Sequence, residues 1–239
     1  MKRFNWENIR LVLIFIAIGF LYAFSANRNE HRALQNSEVK FDRLENLFVT
    51  PEAVNKLLIE KNRASETVGK ENLDLNKLEK TVNAHEMVEE SEVYVSVNGV
   101  LKATVKQKTP IVRVFDATGS FYIDQNGKAM PLSTLNTARV PLVSGKVDPR
   151  NPELMNVFRM INEDDFLKKN IIGITVLESG ALVMKNRNYA YEIDFGKPIH
   201  VERKFKNYKA FFQKAALDST INNYKRINLI FTQQVVCSK

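Results

Sequence analysis

Residues 9–26 read IRLVLIFIAIGFLYAFSA, an apolar run whose only charged side chain is Arg10. About 17 to 25 apolar residues are needed to cross a hydrocarbon core of about 30 Å. The aliphatic stem of Arg10 can lie along lipid while its guanidinium reaches the headgroups, and Trp6 and Tyr22 suit the two membrane interfaces. The run therefore predicts a transmembrane helix over residues 9–26, with everything after Asn27 on one side of the membrane.

The charges around this helix predict its orientation. Residues 1–10 hold three basic side chains and one acidic side chain, which is a modest positive-inside bias. We expect residues 1–8 to form a cytoplasmic tail and the long C-terminal part to be exported. A cleaved signal peptide is the alternative, because Ala23 and Ser25 form the small-x-small pattern that signal peptidase accepts. The length of the run and the lack of a break near Ala26 favour a retained anchor.

Length and composition limit what the exported part can be. The chain has 239 residues, of which 44% are hydrophobic, and this is enough for one or two domains. Cys237 is the only cysteine, so it cannot form a disulfide within the chain. We expect Cys237 to be a small buried side chain in the last strand. The alternative is that its thiol forms a disulfide with another chain or reacts chemically. The net charge of +8, with acids mixed among the bases, favours weak attraction to anionic lipid or acidic partners over nucleic-acid binding.

A small α+β domain is predicted over residues 38–109, after a polar linker over residues 27–37. A short strand comes first, and Thr50-Pro51-Glu52 then begins a helix with a hydroxyl cap, a proline and an acid in order. A second helix follows the capping residue Asp74. Asn98-Gly99 next joins two alternating strands as a hairpin with φ > 0 at both central turn positions. The predicted order is strand, helix, helix, strand, strand, with both helices on one face of the sheet.

A mainly antiparallel β domain with flanking helices is predicted over residues 110–239. A helix begins at Asn151-Pro152-Glu153, and three apolar strands form a meander over residues 171–195. The long amphipathic helix over residues 198–216 is expected to pack on the sheet. Its basic residues are predicted to face outward: Arg203, Lys204, Lys206, Lys209 and Lys214. Alternation in the last strand predicts that Ile227, Leu229 and Phe231 are mainly core.

Several stretches resemble the FtsQ/DivIB family of bacterial cell division proteins. Residues 73–114, LDLNKLEKTVNAHEMVEESEVYVSVNGVLKATVKQKTPIVRV, are similar to the family's POTRA domain. They depart from it at Glu86-Met87, where Pro-Trp is usual, and at Gln107-Lys108, where Glu-Arg is usual. FYIDQNGK (121–128) and VPLVSG (140–145) are similar to the opening turn and a Leu-Pro-x-Ile-x-Gly strand of the family's C-terminal β domain. The ending YKRINLIFTQQVVCSK (224–239) looks like that of the Bacteroidetes branch.

This resemblance implies a fold, a location and partners. The fold class is α+β, with a single N-terminal transmembrane helix, a POTRA domain of order β-α-α-β-β, and the mainly antiparallel β domain. The implied function is a bitopic scaffold in the inner membrane at the division septum, which links regulators of septal cell-wall synthesis. In the family, the C-terminal strand region docks the FtsB and FtsL partners, and the POTRA domain is linked to recruitment and to other division proteins. The matching partner-binding positions are Tyr224, Ile227, Leu229, Phe231, Gln234 and Val235.

The physics of sheet edges is consistent with such docking. A sheet that ends at the C-terminal strand exposes unpaired backbone donors and acceptors, and these can accept an extended segment of another chain. Because alternation assigns several of the matching side chains to the core, we expect the backbone edge to carry most of the contact.

No arrangement of residues in the sequence points to catalysis or to a cofactor. The three histidines, His31, His85 and His200, lie far apart without Cys or acid at ligand spacing, so no metal site is expected. The adjacent carboxylates at 89–90 and 164–165 point apart on a strand or helix, which does not suit an acid/base pair. We therefore expect no enzyme, no cofactor, no nucleic acid and no small-molecule substrate.

Two other functional classes stay open at this point. A POTRA-containing export or outer-membrane assembly module predicts a following β-barrel or repeated POTRA domains. A membrane-anchored cell-wall enzyme predicts a cleft that gathers paired carboxylates, or a nucleophile and a base.

Overall fold

The structure, a computed structural model, describes residues 6–30, 37–43, 46–63, 73–117 and 119–239. The chain divides into two compact units, Met1–Gln107 and Lys108–Lys239, which we call the small unit and the large unit. This division falls two residues before the domain boundary expected from the sequence.

The apolar run lies in the N-terminal helix α1, Trp6–Glu30. Within it, Ile9–Asn27 has a mean hydropathy of 2.2 and is not buried against the described part of the chain, so its length and composition suffice to cross a membrane. Residues 27–30 are helical, although we expected them to belong to the linker. The helix continues because nothing between Ser25 and Glu30 breaks it. Residues 31–36 of the expected linker lie outside the described residues.

The rest of the small unit folds in the predicted order. Its elements are β1 (Ser37–Phe41), α2 (Pro51–Arg63), α3 (Leu75–Asn83), β2 (Val88–Val95) and β3 (Leu101–Gln107). Strand β3 lies between β1, which is parallel to it, and β2, which is antiparallel. The fully buried side chains come from one face of each element, as the predicted apolar periodicity requires: Val54, Leu58, Val82, Ala103 and Val105. The predicted β-α-α-β-β arrangement is therefore confirmed.

Local sequence signals explain where these helices begin. Thr50 Oγ1 accepts a hydrogen bond from the Ala53 amide, and Asp74 Oδ1 accepts one from the Lys77 amide, each at 3.0 Å. Both side chains satisfy amides that the first helical turn leaves without a partner.

The hairpin between β2 and β3 differs from its predicted form. Pairing ends at Val95 and Leu101, so five residues form the loop. The Gly99 amide donates to the Ser96 carbonyl at 3.0 Å, and Gly99 has φ 82°, whereas Asn98 is not left-handed. The connection is thus a type I turn followed by a glycine bulge. The predicted two-residue turn is wrong because Ser96 closes the loop by bonding to Val100 through its amide and its hydroxyl.

The described residues of the large unit form one nine-stranded mixed sheet, three α-helices and a 3-10 helix, Ile221–Asn223. The strands are β4 (Pro110–Asp116), β5 (Gly119–Asp124), β6 (Ala129–Met130), β7 (Leu142–Gly145), β8 (Ile171–Val176), β9 (Leu182–Asn186), β10 (Glu192–Gly196), β11 (Arg226–Asn228) and β12 (Val236–Ser238). The helices are α4 (Pro152–Glu163), α5 (Asp165–Asn170) and α6 (Val201–Leu217). The sheet order is β12-β11-β10-β9-β8-β7-β4-β5-β6. Only the pairs β4/β7, β7/β8 and β10/β11 are parallel, so a mainly antiparallel sheet is confirmed.

The main core of the large unit lies on the sheet face that α4 and α6 cover. The apolar side of α4 and the residues Phe205 and Tyr208 of α6 are at most 3% exposed. They join one cluster with a residue from each of five neighbouring strands: Val143, Ile174, Met184, Ile193 and Ile227. The short helix α5 was not predicted. It begins at Asp164, whose carboxylate accepts a hydrogen bond from the Leu167 amide at 3.0 Å.

One side chain of α6 lies opposite to its predicted direction. Lys204 was expected to face solvent, but it is only 2% exposed. Its Nζ donates to the carbonyl oxygens of Phe195 and Lys197 at 2.7 and 2.8 Å. The ammonium also lies 4.7 Å from the centroid of the Phe195 ring. Lys204 is buried because α6 passes over the end of β10, where two backbone carbonyls need a donor.

Candidate functional site

The edge strand β12 is the candidate site, because it ends the nine-stranded sheet on its C-terminal side. Strand β11 pairs on one side with β10 in parallel and on the other side with β12 antiparallel. No strand in the described ranges pairs with the far side of β12. The predicted C-terminal sheet edge is therefore present.

The hydrogen bonds of β11 determine which groups of β12 face outward. The Glu192 amide donates to the Lys225 carbonyl and the Leu229 amide to the Asp194 carbonyl, each at 2.9 Å. The backbone groups of Ile227 in β11 therefore face β10, and those of Arg226 and Asn228 face β12. Their partners in register are Ser238 and Val236. Because strand backbones alternate, the amide and carbonyl of Cys237 face the edge.

The six predicted partner-binding residues divide into three groups by exposure. Ile227 and Leu229 are 0% and 1% exposed, as expected for core residues. Tyr224 and Val235 are half-buried against the same core, and the Tyr224 ring lies edge-on to Phe211 at a centroid distance of 5.4 Å. Gln234 and Phe231 are exposed. The structure brings all six into one C-terminal hairpin, but it does not make them one side-chain surface.

Phe231 corrects the prediction from strand alternation. It is 54% exposed because β11 ends at Asn228 and the chain bends over residues 230–233 before it returns as β12. Asn228 Oδ1 accepts a hydrogen bond from the Ile230 amide at 2.9 Å, which is an Asx-type turn. The sequence signal for this bend is the asparagine within the apolar alternation, and we read that alternation as one longer strand.

The sequence analysis also missed exposed apolar residues of this hairpin. Ile230 is 50% exposed and Val236 is 45% exposed. Ile230 stands between Leu229 and Phe231, which strand alternation selected, and Val236 stands next to Val235, which the family resemblance selected, so neither exposed residue was chosen. Arg226 was missed as well, and its guanidinium lies 3.4 Å from Glu192 and 3.3 Å from Asp194 on the solvent side of β10.

Two other sheet edges of the described residues, those of β2 and β6, are less suitable for strand addition. In the small unit, β2 carries Glu89, Glu90 and Glu92, and Glu79 Oε2 lies 3.4 Å from the outward amide of Val93. Charged side chains at an edge discourage the approach of another strand. In the large unit, β6 has two residues and is followed directly by Pro131, which has no amide hydrogen. By contrast, residues 232–238 carry no charged side chain.

The side chains of β12 are those of Val236, Cys237 and Ser238. Among the described residues, no group of three or more His, Cys, Asp or Glu could hold a metal ion. The side chain of Cys237 is half-buried on the core side of β12, and burial raises the pKa of its thiol. A raised thiol pKa lowers the thiolate fraction near pH 7, which is the reverse of an activated nucleophile. The chemistry that the edge offers is backbone hydrogen bonding.

Comparison with known proteins adds two similarities. The family described as FtsQ/DivIB, C-terminal related, matches residues 109–238. Among solved structures, the major extracytoplasmic domain of the trans isomer of the bacterial cell division protein DivIB from Geobacillus stearothermophilus is similar at 18% identity and a TM-score of 0.33. This match covers 48% of the present chain and 97% of that chain. No curated protein matches the sequence.

Proposed function

Because the chain belongs to the FtsQ/DivIB family of cell division proteins, we propose that it is a single-span membrane scaffold of the bacterial division machinery. In this proposal α1 anchors the chain in the inner membrane with its N-terminus in the cytoplasm. Both units are then exported and work at the septum, where they link regulators of septal cell-wall synthesis. The family is a non-enzymatic one, which is consistent with a role in binding.

The observation that carries the proposal is the uncharged edge of β12. An extended partner segment receives one backbone donor and one acceptor from Cys237 and extends the sheet by a tenth strand. Neighbouring residues such as Gln234 and Val236 then select side chains of that segment. The buried residues Ile227 and Leu229 support the edge from below instead of touching the partner.

The partners we propose follow from the family. They are FtsB-like and FtsL-like division proteins at β12, and further division proteins at the small unit, which we assign to residues 38–109 as the POTRA domain. The large unit, residues 110–239, is the β domain in this assignment.

The experiment uses a backbone change at the edge. Cys237→Pro removes the outward amide, while the bonds of Val236 and Ser238 to β11 do not depend on it. We expect full-length Cys237→Pro to lose about tenfold or more of its recovery of FtsB-like and FtsL-like proteins in co-purification from membranes. Deletion of residues 224–239 is unsuitable, because it removes two core side chains together with the edge.

Cys237→Ser is the matched control, since it changes the same side chain and keeps the amide. It should bind like the unaltered chain. Full recovery of both partners by a Cys237→Pro chain that retains its circular dichroism spectrum and melting temperature would overturn strand addition at this edge.

A further inference from the structure

Strand β1 forms the edge of the small sheet that lies opposite β2. Strand β3 pairs with one side of β1, and no strand of the described ranges pairs with the other side. The Asp42 amide donates to the Val105 carbonyl of β3 at 3.1 Å, and Phe41 stands opposite Val105 in the parallel register. Because strand backbones alternate, the amides and carbonyls of Ser37, Val39 and Phe41 face the edge. The edge therefore offers backbone hydrogen bonds at every second residue.

The side chains of β1 divide between the two faces of the sheet. On the helix face, the Ser37 hydroxyl donates to Asn55 Oδ1 of α2. Glu38 and Lys40 are exposed on the opposite face, where the Glu38 carboxylate lies 3.1 Å from the Lys102 ammonium of β3. An acid and a base thus stand on one face, one residue to each side of the strand centre.

The sequence of β1, SEVKF, is complementary to itself when two copies run antiparallel. With Val39 opposite Val39 of the second copy, Glu38 of each copy stands opposite Lys40 of the other on the same face. Opposite charges at such positions stabilise a strand pair. Val39 then exchanges two backbone hydrogen bonds with its counterpart, and Ser37 of each copy does the same with Phe41 of the other.

Other registers of this pair are disfavoured. A shift by two residues places either Lys40 opposite Lys40 or Glu38 opposite Glu38, and like charges directly opposite each other destabilise a strand pair. A shift by one residue moves the charged side chains onto the helix face of the second copy. The charge pattern of β1 therefore specifies the register centred on Val39.

Helix α2 adds an apolar side chain beside this edge. Asn55 accepts from Ser37 of β1, and Ile59, one helical turn further along, lies on the same side of α2. Ile59 is 40% exposed, whereas Val54 and Leu58 of the same helix are fully buried. The twofold axis of an antiparallel strand pair is perpendicular to the sheet, so both α2 helices lie on one face. Ile59 of each copy then borders the new contact.

The edge of β2 lacks this self-complementarity. Strand β2 carries Glu89, Glu90 and Glu92 and no basic side chain. Two antiparallel copies of β2 would therefore bring acids together, and this opposes their pairing. Pairing between copies is favoured at β1 and disfavoured at β2.

We propose that β1 pairs antiparallel with β1 of a second copy of this chain about a twofold axis at Val39. The pairing joins two three-stranded sheets into one and is closed, because each copy uses its β1 edge once. Six residues, 31–36, separate α1 from β1 and can span about 20 Å, so both copies can be anchored in one membrane. The inference rests on the proposed function only for this shared membrane, which raises the local concentration of the two copies.

Cysteine crosslinking of full-length chains in the membrane tests the proposal. Val39→Cys in a Cys237→Ser background puts one thiol of each copy beside the twofold axis. A hydrogen-bonded antiparallel pair brings the two Cα atoms to about 5.5 Å, which is within the range of a disulfide. Glu92→Cys in the same background is the control on the β2 edge, where the side chain is more exposed than that of Val39. After addition of a mild oxidant, we expect at least tenfold more homodimer from position 39 than from position 92.

An exchange of charges tests the register. Lys40→Glu and Glu38→Lys each produce a strand with two like charges, so either variant, combined with Val39→Cys, should form about fivefold less homodimer. The two variants expressed together are complementary to each other and should form the mixed dimer at the original yield. This rescue distinguishes a contact between copies from a folding defect, which mixing cannot repair.

Three results would each overturn the proposal: equal yields at positions 39 and 92, crosslinks from position 39 to other proteins alone, or no rescue in the mixture. A further combination separates this inference from the proposed function. Cys237→Pro does not alter β1, so a chain with Val39→Cys and Cys237→Pro should form the homodimer at full yield while it loses FtsB-like and FtsL-like proteins. Loss of these proteins without a homodimer at position 39 refutes pairing at β1 and leaves strand addition at β12 in place.

Discussion

Lys204 illustrates how a single buried side chain holds two elements of the large unit together. Its ammonium has lost hydration, and burial lowers its pKa from the ordinary lysine value. Two backbone carbonyls and an aromatic face compensate for that loss. The same contacts fix the loop between β10 and α6.

A substitution at this position should be costly for a defined reason. Lys204→Met keeps much of the side-chain volume but leaves the carbonyls of Phe195 and Lys197 without their donor. Loss of hydrogen bonds to a charged donor predicts a free energy of unfolding lower by about 2 kcal/mol. Urea unfolding of the detergent-solubilised chain, followed by circular dichroism, measures this change.

Lys206→Met is the control, because Lys206 is exposed two positions further along the same helix. It should change the free energy of unfolding by less than about 0.5 kcal/mol. Equal effects of the two substitutions would contradict the structural role of Lys204.

At the scale of elements, Asp164 joins three helices. It follows α4, it caps α5 by accepting from the Leu167 amide, and its carboxylate is paired with the Lys209 ammonium of α6. Burial alone would raise its pKa, but hydrogen bonds from Lys209 and from the α5 backbone lower it below the ordinary aspartate value. The neighbouring carboxylate of Asp165 is exposed. The two neighbouring carboxylates therefore have different surroundings, since Asp164 is a cap and an ion-pair partner and Asp165 faces solvent.

Replacement of this cap should show a specific pH dependence. Asp164→Ala removes an N-cap and an ion pair, so the free energy of unfolding at pH 7 should fall by about 1 to 2 kcal/mol. Since the folded pKa lies below the unfolded value, the carboxylate stabilises the fold above the ordinary aspartate pKa of about 4 and loses that effect as the pH falls through the folded pKa. The free energies of unfolding of Asp164→Ala and of the unaltered chain should therefore differ by the full amount at pH 7. This difference should shrink as the pH falls from the ordinary aspartate pKa through the lower folded pKa of Asp164.

The exposed residue beside it is the control for this series. Asp165→Ala should cost less than about 0.5 kcal/mol at pH 7, because this carboxylate interacts mainly with the helix dipole. A difference between Asp164→Ala and the unaltered chain that stays constant from pH 7 to pH 3 would argue against the assigned ion pair and cap.

At the scale of the whole molecule, the proposed function depends on the location of the two units. A C-terminal tag on the full-length chain should fractionate with the inner membrane and should be accessible to protease only after the outer membrane is opened. The physical reason is that Ile9–Asn27 is apolar enough to span, while residues 1–10 hold three basic residues and residues 28–37 hold two. A shortened soluble product would identify α1 as a cleaved signal, and a protected tag would reverse the orientation.

Features that depend on a few consecutive residues were readable from the sequence. The starts of α2, α3 and α4 follow from capping side chains at Thr50, Asp74 and Asn151, which satisfy amides two or three residues away. Apolar periodicity explains why the apolar run, the order of elements in the small unit and the meander of the large unit were predictable. The pattern marks the buried face of an element whichever other element packs against it. The family resemblance was readable for the same reason, since it lay in short local motifs.

Other features were decided only by tertiary contacts between distant parts of the chain. The burial of Lys204 requires the carbonyls that end β10, the bend that exposes Phe231 is held in part by Asn207 of α6, and the edge position of β12 depends on its antiparallel return along β11. None of these partners lies within a helical or strand period of the residue it controls, so no local pattern could reveal them. The sequence therefore indicated where in the chain the candidate site lies. The packing of α6 and β10 against the C-terminal hairpin determined which of its side chains are exposed.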